Sequence, residues 1–209
     1  MQNKIENSEI TRKNILNVAK KMFSQKGYAN TKLSEISKEI GMTRGAIYWH
    51  FKDKYQLYEV IIDSSTTKLE KIIYNILDSD MSPQKKIKKL IIKTIFLITN
   101  NDYFQVFDEF SDFKNNSSKE LNKLNLEHKE RSQIFKKKVI KVIQDGISEN
   151  KFDKDFNPEI VVIALLSYLA GIRTLWLSKM IDLEKNDFLA LQENAEEFAD
   201  IFIHGLKGT

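Results

Sequence analysis

The residues from Thr43 to His50 combine side chains that suit contacts with a nucleic acid. Arg44 carries a fork of guanidinium donors that can read the edge of a guanine base, and Thr43 stands beside it. Gly45 lets the backbone come close to a partner. The donors and ring faces that follow suit phosphates and sugars, and they belong to Tyr48, Trp49 and His50. The alternative is ordinary packing for the two aromatic residues and a solvated position for Arg44.

Two further positions suit phosphate contacts because each opens a helix, whose N-terminal amides attract anions. Lys54 begins a long helix, and Thr31 with Lys32 stands at the start of a short one. These residues complete the expected DNA-binding set of Thr31, Lys32, Thr43, Arg44, Gly45, Tyr48, Trp49, His50 and Lys54.

Two short helices and a longer one before them must position these side chains. Helical spacing of apolar residues and the stop at Gly27 predict a first helix from about Glu9 to Lys26. Thr31 is expected to cap a second helix that ends at Gly41, and Thr43 to cap a third, Arg44 to His50, anchored in the core by Ile47. Two short helices joined by a three-residue turn, behind a longer bracing helix, predict a helix-turn-helix domain over residues 1–57.

Charge and composition support the same division. Residues 1–57 hold 11 basic and 5 acidic side chains, a net +6, whereas the other 152 residues hold 22 and 24, a net −2. A basic end on a near-neutral body suggests nucleic-acid contact at that end. With 2 prolines and 7 glycines the chain has few breakpoints for a β-rich fold, so we expect an all-α protein of about nine helices.

Several other classes of protein are disfavoured. With 0 cysteines there is neither a disulfide framework nor a thiolate metal site, and no apolar run reaches membrane-spanning length. The polar start shows no signal-peptide core, so a cytoplasmic protein is expected. His50, His128 and His204 form no metal pair, and no catalytic motif is found. We expect no catalytic residue, no metal and no cofactor; a helical enzyme with a scattered site is the least favoured alternative.

Residues 58–209 are expected to form a helical bundle for ligand binding and dimerisation. Helices are predicted from Lys54 to about Leu77, from Pro83 to about Ile98, from about Lys119 to Glu149, from Pro158 through the apolar stretch that ends at Met180, and in one final helix. Residues 160–180 are apolar nearly all round, and the final segment repeats apolar residues in a heptad pattern. A homodimer is therefore expected through Leu165, Leu169, Phe188, Leu191, Ala195, Phe198 and Phe202. The alternative is a purely intrachain bundle.

Aromatic residues crowd residues 103–113 and alternate with aspartates. They predict a pocket for a bulky, mostly apolar and cationic molecule. The expected ligand-binding residues are Tyr103, Phe104, Phe107, Asp108, Phe110, Asp112, Phe113, Tyr168 and Trp176. The alternative is that the aromatic residues are core and the acids face solvent.

The stretch GMTRGAIYWHFKDK, residues 41–54, together with TKLSEI from Thr31, resembles the TetR family of transcriptional regulators. Within it the chain looks most like the AcrR-type repressors of multidrug efflux genes. The resemblance implies a homodimer that binds double-stranded, palindromic operator DNA, releases it on binding a small effector, and controls a transporter gene. A DNA-binding protein of this fold without a ligand switch is the alternative.

Overall fold

The computed structural model describes residues 2–99, 119–178 and 185–207. These residues form helices and loops, with no strand among them, as the all-α prediction requires. The nine described helices are α1 (Gln2–Lys26), α2 (Leu33–Ile40), α3 (Arg44–His50), α4 (Lys54–Leu77), α5 (Pro83–Thr99), α6 (Lys119–Ser148), α7 (Pro158–Ser178), α8 (Lys185–Glu193) and α9 (Ala195–Gly205). None of the helices in the described part is long and apolar enough to cross a membrane.

The chain divides into two compact units, and the division falls after Leu69, inside α4. Of the described residues, the first unit contains 2–69 and 119–124, and the second contains 70–99, 125–178 and 185–207. The domain boundary predicted after Leu57 stays a prediction, because α4 continues through that point without a break.

The core of the first unit is built from one apolar face of each helix. Ile47 is the buried residue of α3 and is fully enclosed, as its expected role as the anchor requires. The ring of Tyr58 packs edge-on against Phe23, with 5.4 Å between centroids, and lies 4.7 Å from the ring of Tyr28. The other fully enclosed apolar residues of this core are Ile15, Ala19, Ile36 and Leu57. These contacts fix α3 on its supporting helices, since burial of apolar area is the main stabilising term.

The turn between α2 and α3 follows the predicted chemistry. Gly41 ends α2 with a φ of 75°, in the left-handed region that glycine adopts without a Cβ clash. The backbone N–H of Gly41 donates to the carbonyl of Lys38 at 3.1 Å, and that of Met42 donates to the carbonyl of Ser37 at 2.8 Å. These bonds are typical of a left-handed helix C-terminus, and they turn the chain directly into α3.

The second unit is organised around α5, which packs against α7, α8 and α9. Its buried face comprises Ile87, Leu90, Ile91, Ile95 and Ile98. The predicted starts at Pro83 and Pro158 are confirmed, because both prolines occupy the first position of a helix. Two ion pairs also join α6 to α4 and the residue that follows it: Arg131 to Glu70 on α4 at 3.5 Å, and Lys138 to Asp78 just after α4 at 2.6 Å.

The final segment is two helices, so the prediction of one continuous helix was wrong. The break falls at Asn194, whose side-chain amide donates to the carbonyl of Ala190 at 2.8 Å. Asparagine is commonly found at helix ends, and here its backbone N–H donates to the same carbonyl of Ala190 at 2.9 Å. A heptad seam through Phe188 and Phe202 therefore does not run along one helix.

Candidate functional site

Helix α3 is capped at its start and anchored in the core by one residue, and its other residues are exposed or half-buried. The hydroxyl oxygen of Thr43 accepts the backbone N–H of Ala46 at 3.3 Å, as predicted for an N-cap. Ile47 is fully buried, which turns the neighbouring positions outward. We call the exposed set the recognition face, and it consists of Arg44, Gly45, Tyr48 and Trp49.

Arg44 and Tyr48 support one another on the recognition face, one helical turn apart. Nη2 of Arg44 donates to the phenolic oxygen of Tyr48 at 3.1 Å, and the guanidinium carbon lies 5.5 Å from the centroid of the ring. Tyr48 uses its oxygen as the acceptor, so its O–H can still donate to a phosphate. The arrangement holds the guanidinium in place beside a group suited to backbone contact.

Trp49 is the most exposed large apolar side chain among the described residues of the unit, at 88%, and Tyr48 is 43% exposed. The packing alternative for these two aromatic residues is therefore not what the structure shows. An exposed indole contributes little to the stability of the fold, because it buries little apolar surface. Exposed aromatic surface commonly marks a binding site. His50, the last residue of α3, is partly exposed.

Of the predicted DNA contacts, Thr31 is contradicted by its burial, and Lys54, whose role in DNA binding stays a prediction, has acceptors within the protein. Thr31 is fully buried and does not cap α2; its hydroxyl donates to the carbonyl of Gly27 at 2.7 Å, and α2 begins after Lys32 instead. Nζ of Lys54 donates to the carbonyls of Tyr28 at 2.8 Å and Thr31 at 3.0 Å. The Thr31 hydroxyl is buried, and the Lys54 ammonium donates to carbonyls of its own chain, so neither group is directed towards a phosphate.

Lys54 instead ties α4 to the loop before α2. Its ammonium also lies 4.2 Å from the centroid of the Tyr28 ring, within cation–π range. Burial lowers the pKa of this lysine from its ordinary value. Lys32 is exposed and remains a candidate for phosphate contact.

The second unit holds an apolar cleft of about 420 Å³, which we call the ligand cleft. Its described lining comes from α7, α8 and α9: Ser167, Tyr168, Gly171, Ile172, Leu175, Asp187, Leu191 and Phe198. Tyr168 stacks on Phe198 with 4.6 Å between centroids and donates its hydroxyl to the Phe198 carbonyl at 2.7 Å. Burial raises the pKa of this phenol. Among the described lining residues, Asp187 is the only charged one.

Most of the predicted pocket residues lie outside the described part of the chain, and their role stays a prediction. They are Tyr103, Phe104, Phe107, Asp108, Phe110, Asp112 and Phe113. Trp176 belongs to α7, but its side chain is not among those described. Tyr168 does line a cleft, and its described neighbours there were not predicted from the sequence.

Three of the predicted dimer residues are buried within their own chain, and three more are half-buried. Leu165, Leu169 and Ala195 are buried within their own chain, so these predictions were wrong. Phe198 and Phe202 are half-buried and contact the Tyr168 ring, and Leu191 lines the ligand cleft; the Phe188 side chain is outside the described set. Leu165, Leu169 and Ala195 therefore pack in the core of their own chain and are not available to a partner.

A different apolar surface is exposed on the opposite side of α7. We call it the outer α7 face, and its large apolar residues are Ile160, Ile163 and Leu166, exposed by 61%, 53% and 40%. Leu189 on α8 and Ile201 on α9 are exposed as well. The all-round apolar character of residues 160–180 pointed to two covered faces but did not say which one packs inside the chain.

The sequence matches known regulators in the region of the recognition face. Residues 15–61 match the family model described as bacterial regulatory proteins, tetR family. The regulator AcrR of Shigella flexneri is 34% identical over 110 residues, and that match covers 44% of this chain and 50% of the relative's length. The regulator TtgW of Pseudomonas putida is 30% identical over 90 residues, covering 36% of this chain and 67% of that protein. The chain belongs to the TetR family.

Solved structures share the architecture of this TetR-family chain. The ketosteroid regulator KstR2 of Mycobacterium tuberculosis has a TM-score of 0.73 at 19% identity, covering 95% of this chain and 96% of that chain. AibR, solved with isovaleryl coenzyme A and operator DNA, has a TM-score of 0.68 at 16% identity, covering 93% and 97%. NalD of Pseudomonas aeruginosa, the secondary repressor of a multidrug efflux pump, scores 0.63 at 24% identity, covering 96% and 98%. At these identities the likeness shows the fold.

TetR-family membership settles the class of activity. AcrR and TtgW are named as helix-turn-helix transcriptional regulators, so this TetR-family chain is a transcriptional regulator rather than an enzyme. The residues that match the family model include all of α2 and α3, and with them the complete recognition face.

Proposed function

We propose that this regulator is a repressor that binds a palindromic operator through α3, as a dimer. The observation that carries the proposal is the recognition face, on which Arg44, Tyr48 and Trp49 are exposed on a helix anchored by Ile47. Arg44 reads a base edge in the major groove, and Tyr48, Trp49, His50 and Lys32 contact phosphates and sugars. Thr43 caps the helix at the end that enters the groove.

Measuring DNA binding by Arg44→Ala and Tyr48→Phe tests these roles. Loss of a base-reading arginine costs about 1–3 kcal/mol on the operator and relaxes preference at one position, whereas loss of a phosphate contact weakens all sequences alike. The operator is found by selection from random duplexes, and its half-sites should lie about one helical turn apart or a multiple of it. Equal weakening of operator and random DNA by Arg44→Ala contradicts base reading.

The dimer forms, in this proposal, through the outer α7 face of each copy. Ile160, Ile163 and Leu166 recur at helical spacing on one side of α7, and exposed apolar residues at such a spacing favour a helical partner. A second copy supplies the same surface, as a two-fold interface requires. This face replaces the seam expected from the sequence.

Light scattering after gel filtration distinguishes a dimer from the 24.4 kDa monomer. Ile163→Asp should yield monomers, because it places a charge at the centre of the apolar contact. Ile134→Asp is the matched control, since Ile134 is an isoleucine of similar exposure, 49%, on a different helix, α6. A monomeric wild-type chain at micromolar concentration, or equal effects of both variants, contradicts the proposed interface.

The effector in this proposal is a bulky, mostly apolar cation that binds the second unit and lowers operator affinity. Support comes from the ligand cleft, whose walls are apolar and aromatic and whose described lining carries one carboxylate. The volume of about 420 Å³ lies in the range of small-molecule sites. The fold neighbour NalD is a repressor of a multidrug efflux pump, and AibR was solved with both a small molecule and operator DNA. We therefore propose an efflux transporter gene as the target.

Calorimetry with ethidium and other cationic dyes, with and without operator, tests the effector. Asp187→Asn should lower the affinity for cationic dyes about three- to fivefold, as expected for a partly exposed charge pair. Asp155→Asn, in an exposed loop, serves as the control. Bound operator must lower the affinity for the dye by the same factor by which bound dye lowers the affinity for the operator. Dye that binds without changing operator affinity indicates a regulator without this switch, and no binding of any cation removes the drug-sensor proposal.

A further inference from the structure

The polar middle of α4 borders a second cavity, and this one lies wholly within the first unit. The cavity measures about 390 Å³ and lies between α1 and α4. We call it the basic cavity, and its described lining is Lys13, Leu16, Asn17, Lys20, Val60, Ile61, Ser64, Ser65 and Lys68. On each helix these residues recur at spacings of three and four, so they form one face of α1 and one face of α4.

The charge of this cavity is one-sided. Lys13, Lys20 and Lys68 contribute three ammonium groups, and no carboxylate is among the described lining residues. Lys20 has a partner of its own, so the exposed ammonium groups of Lys13 and Lys68 are the charges that would attract a bound anion. Asn17, Ser64 and Ser65 add uncharged hydrogen-bond donors to the same wall.

The cavity also has an apolar side. Ile61 is 4% exposed, and Leu16 and Val60 are half-buried beside it. A DNA phosphate would contact only the lysines and would bury no apolar surface here. A small molecule with an apolar part would bury that part against these residues, which favours binding. The volume also falls in the range of small-molecule sites.

We infer that the basic cavity binds an organic anion, a molecule with a carboxylate or phosphate head and a short apolar body. The ammonium groups and hydroxyls hold the head, and Leu16, Val60 and Ile61 contact the body. This site belongs to the DNA-binding unit and differs from the ligand cleft in both place and charge preference. The inference does not depend on the proposed cationic effector.

Calorimetry on the full chain at low ionic strength tests the inference with three probes: octanoate, octyl phosphate and inorganic phosphate. We expect octanoate or octyl phosphate to bind at one site, and inorganic phosphate to bind more weakly because it lacks the apolar body. Comparison of the two octyl probes identifies the preferred head group. Binding of inorganic phosphate alone, or of none of the three probes at millimolar concentration, overturns the inference.

Variants locate the site. The double variant Lys13→Gln, Lys68→Gln changes two exposed side chains and should weaken octanoate about tenfold or more. The control Lys85→Gln, Lys89→Gln removes the same charge from exposed positions on α5, and its effect should stay within about twofold. Ser64→Trp leaves the charge unchanged and should prevent binding, because it replaces a small lining residue with a large indole. Equal weakening by both double variants overturns the inference, as does a cavity variant that weakens random DNA while leaving octanoate binding unchanged.

Discussion

Replacing Lys54 by methionine separates a structural lysine from a DNA-binding one. The ammonium donates to the carbonyls of Tyr28 and Thr31 and lies against the Tyr28 ring, so it joins the start of α4 to the loop before α2. Methionine keeps an apolar stem of similar length and removes the charge and the donors. We expect a less stable protein whose DNA contacts are unchanged.

The size of the effect follows from these contacts. A hydrogen bond from a charged group contributes about 1.5–3 kcal/mol when shielded, and Lys54 is only partly buried. Discounted for solvent screening, the loss should be about 1–2 kcal/mol. For a chain of this length that corresponds to a decrease in Tm of about 2–8 °C.

Thermal unfolding gives the stability, and operator binding at several salt concentrations gives the number of phosphate contacts. Each contacted phosphate contributes about 0.9 to the slope of log affinity against log salt. Lys54→Met should leave that slope unchanged, Lys32→Met should reduce it by about one, and the exposed Lys52 provides the control Lys52→Met for stability. An unchanged Tm together with a reduced slope for Lys54→Met would refute the structural assignment.

Three further substitutions probe the same unit and the second one. Trp49→Ala should leave Tm unchanged because the indole is 88% exposed, yet weaken DNA binding in gel-shift titrations; a lower Tm would mean that the ring packs. Thr43→Ala should cost about 0.5–2 kcal/mol in urea unfolding by removing the cap of α3, and no loss would argue against the cap. Gly146→Ala should cost about 1–3 kcal/mol, because its Cβ would lie 2.1 Å from the Phe152 ring, whereas Gly205→Ala meets no atom within 4 Å; equal unfolding midpoints would contradict this.

The helix-turn-helix could be predicted because its signals are local. The end of α2 at Gly41, the cap at Thr43 and the anchor at Ile47 each depend on residues within a few positions along the chain. Thr31 failed for a physical reason: a threonine before a helix is a good cap, but this hydroxyl is buried and bonds the carbonyl of Gly27 instead. Burial of that kind depends on tertiary packing, which sequence spacing does not contain.

The dimer surface could not be read from the pattern for a related reason. Residues 160–178 are apolar on most sides, so periodicity does not distinguish the face that packs on α5 from the outer α7 face. The heptad pattern near the C-terminus predicted one seam, but the helix on which that pattern depends breaks at Asn194. The exposure of Ile160 and Ile163 supports the outer α7 face as the proposed dimer surface instead.

Helix α4 begins in the first unit and ends in the second. Its first part carries Lys54 and borders the basic cavity, whereas Glu70 on its second half and Asp78 just after its end pair with α6. A ligand changes an equilibrium only when it binds one conformation more tightly than another, so an anion in the basic cavity alters operator affinity only if it favours one conformation of the unit that carries α3. By linkage, operator DNA must then change the affinity for that anion by the same factor, which calorimetry with octanoate in the presence and absence of operator measures.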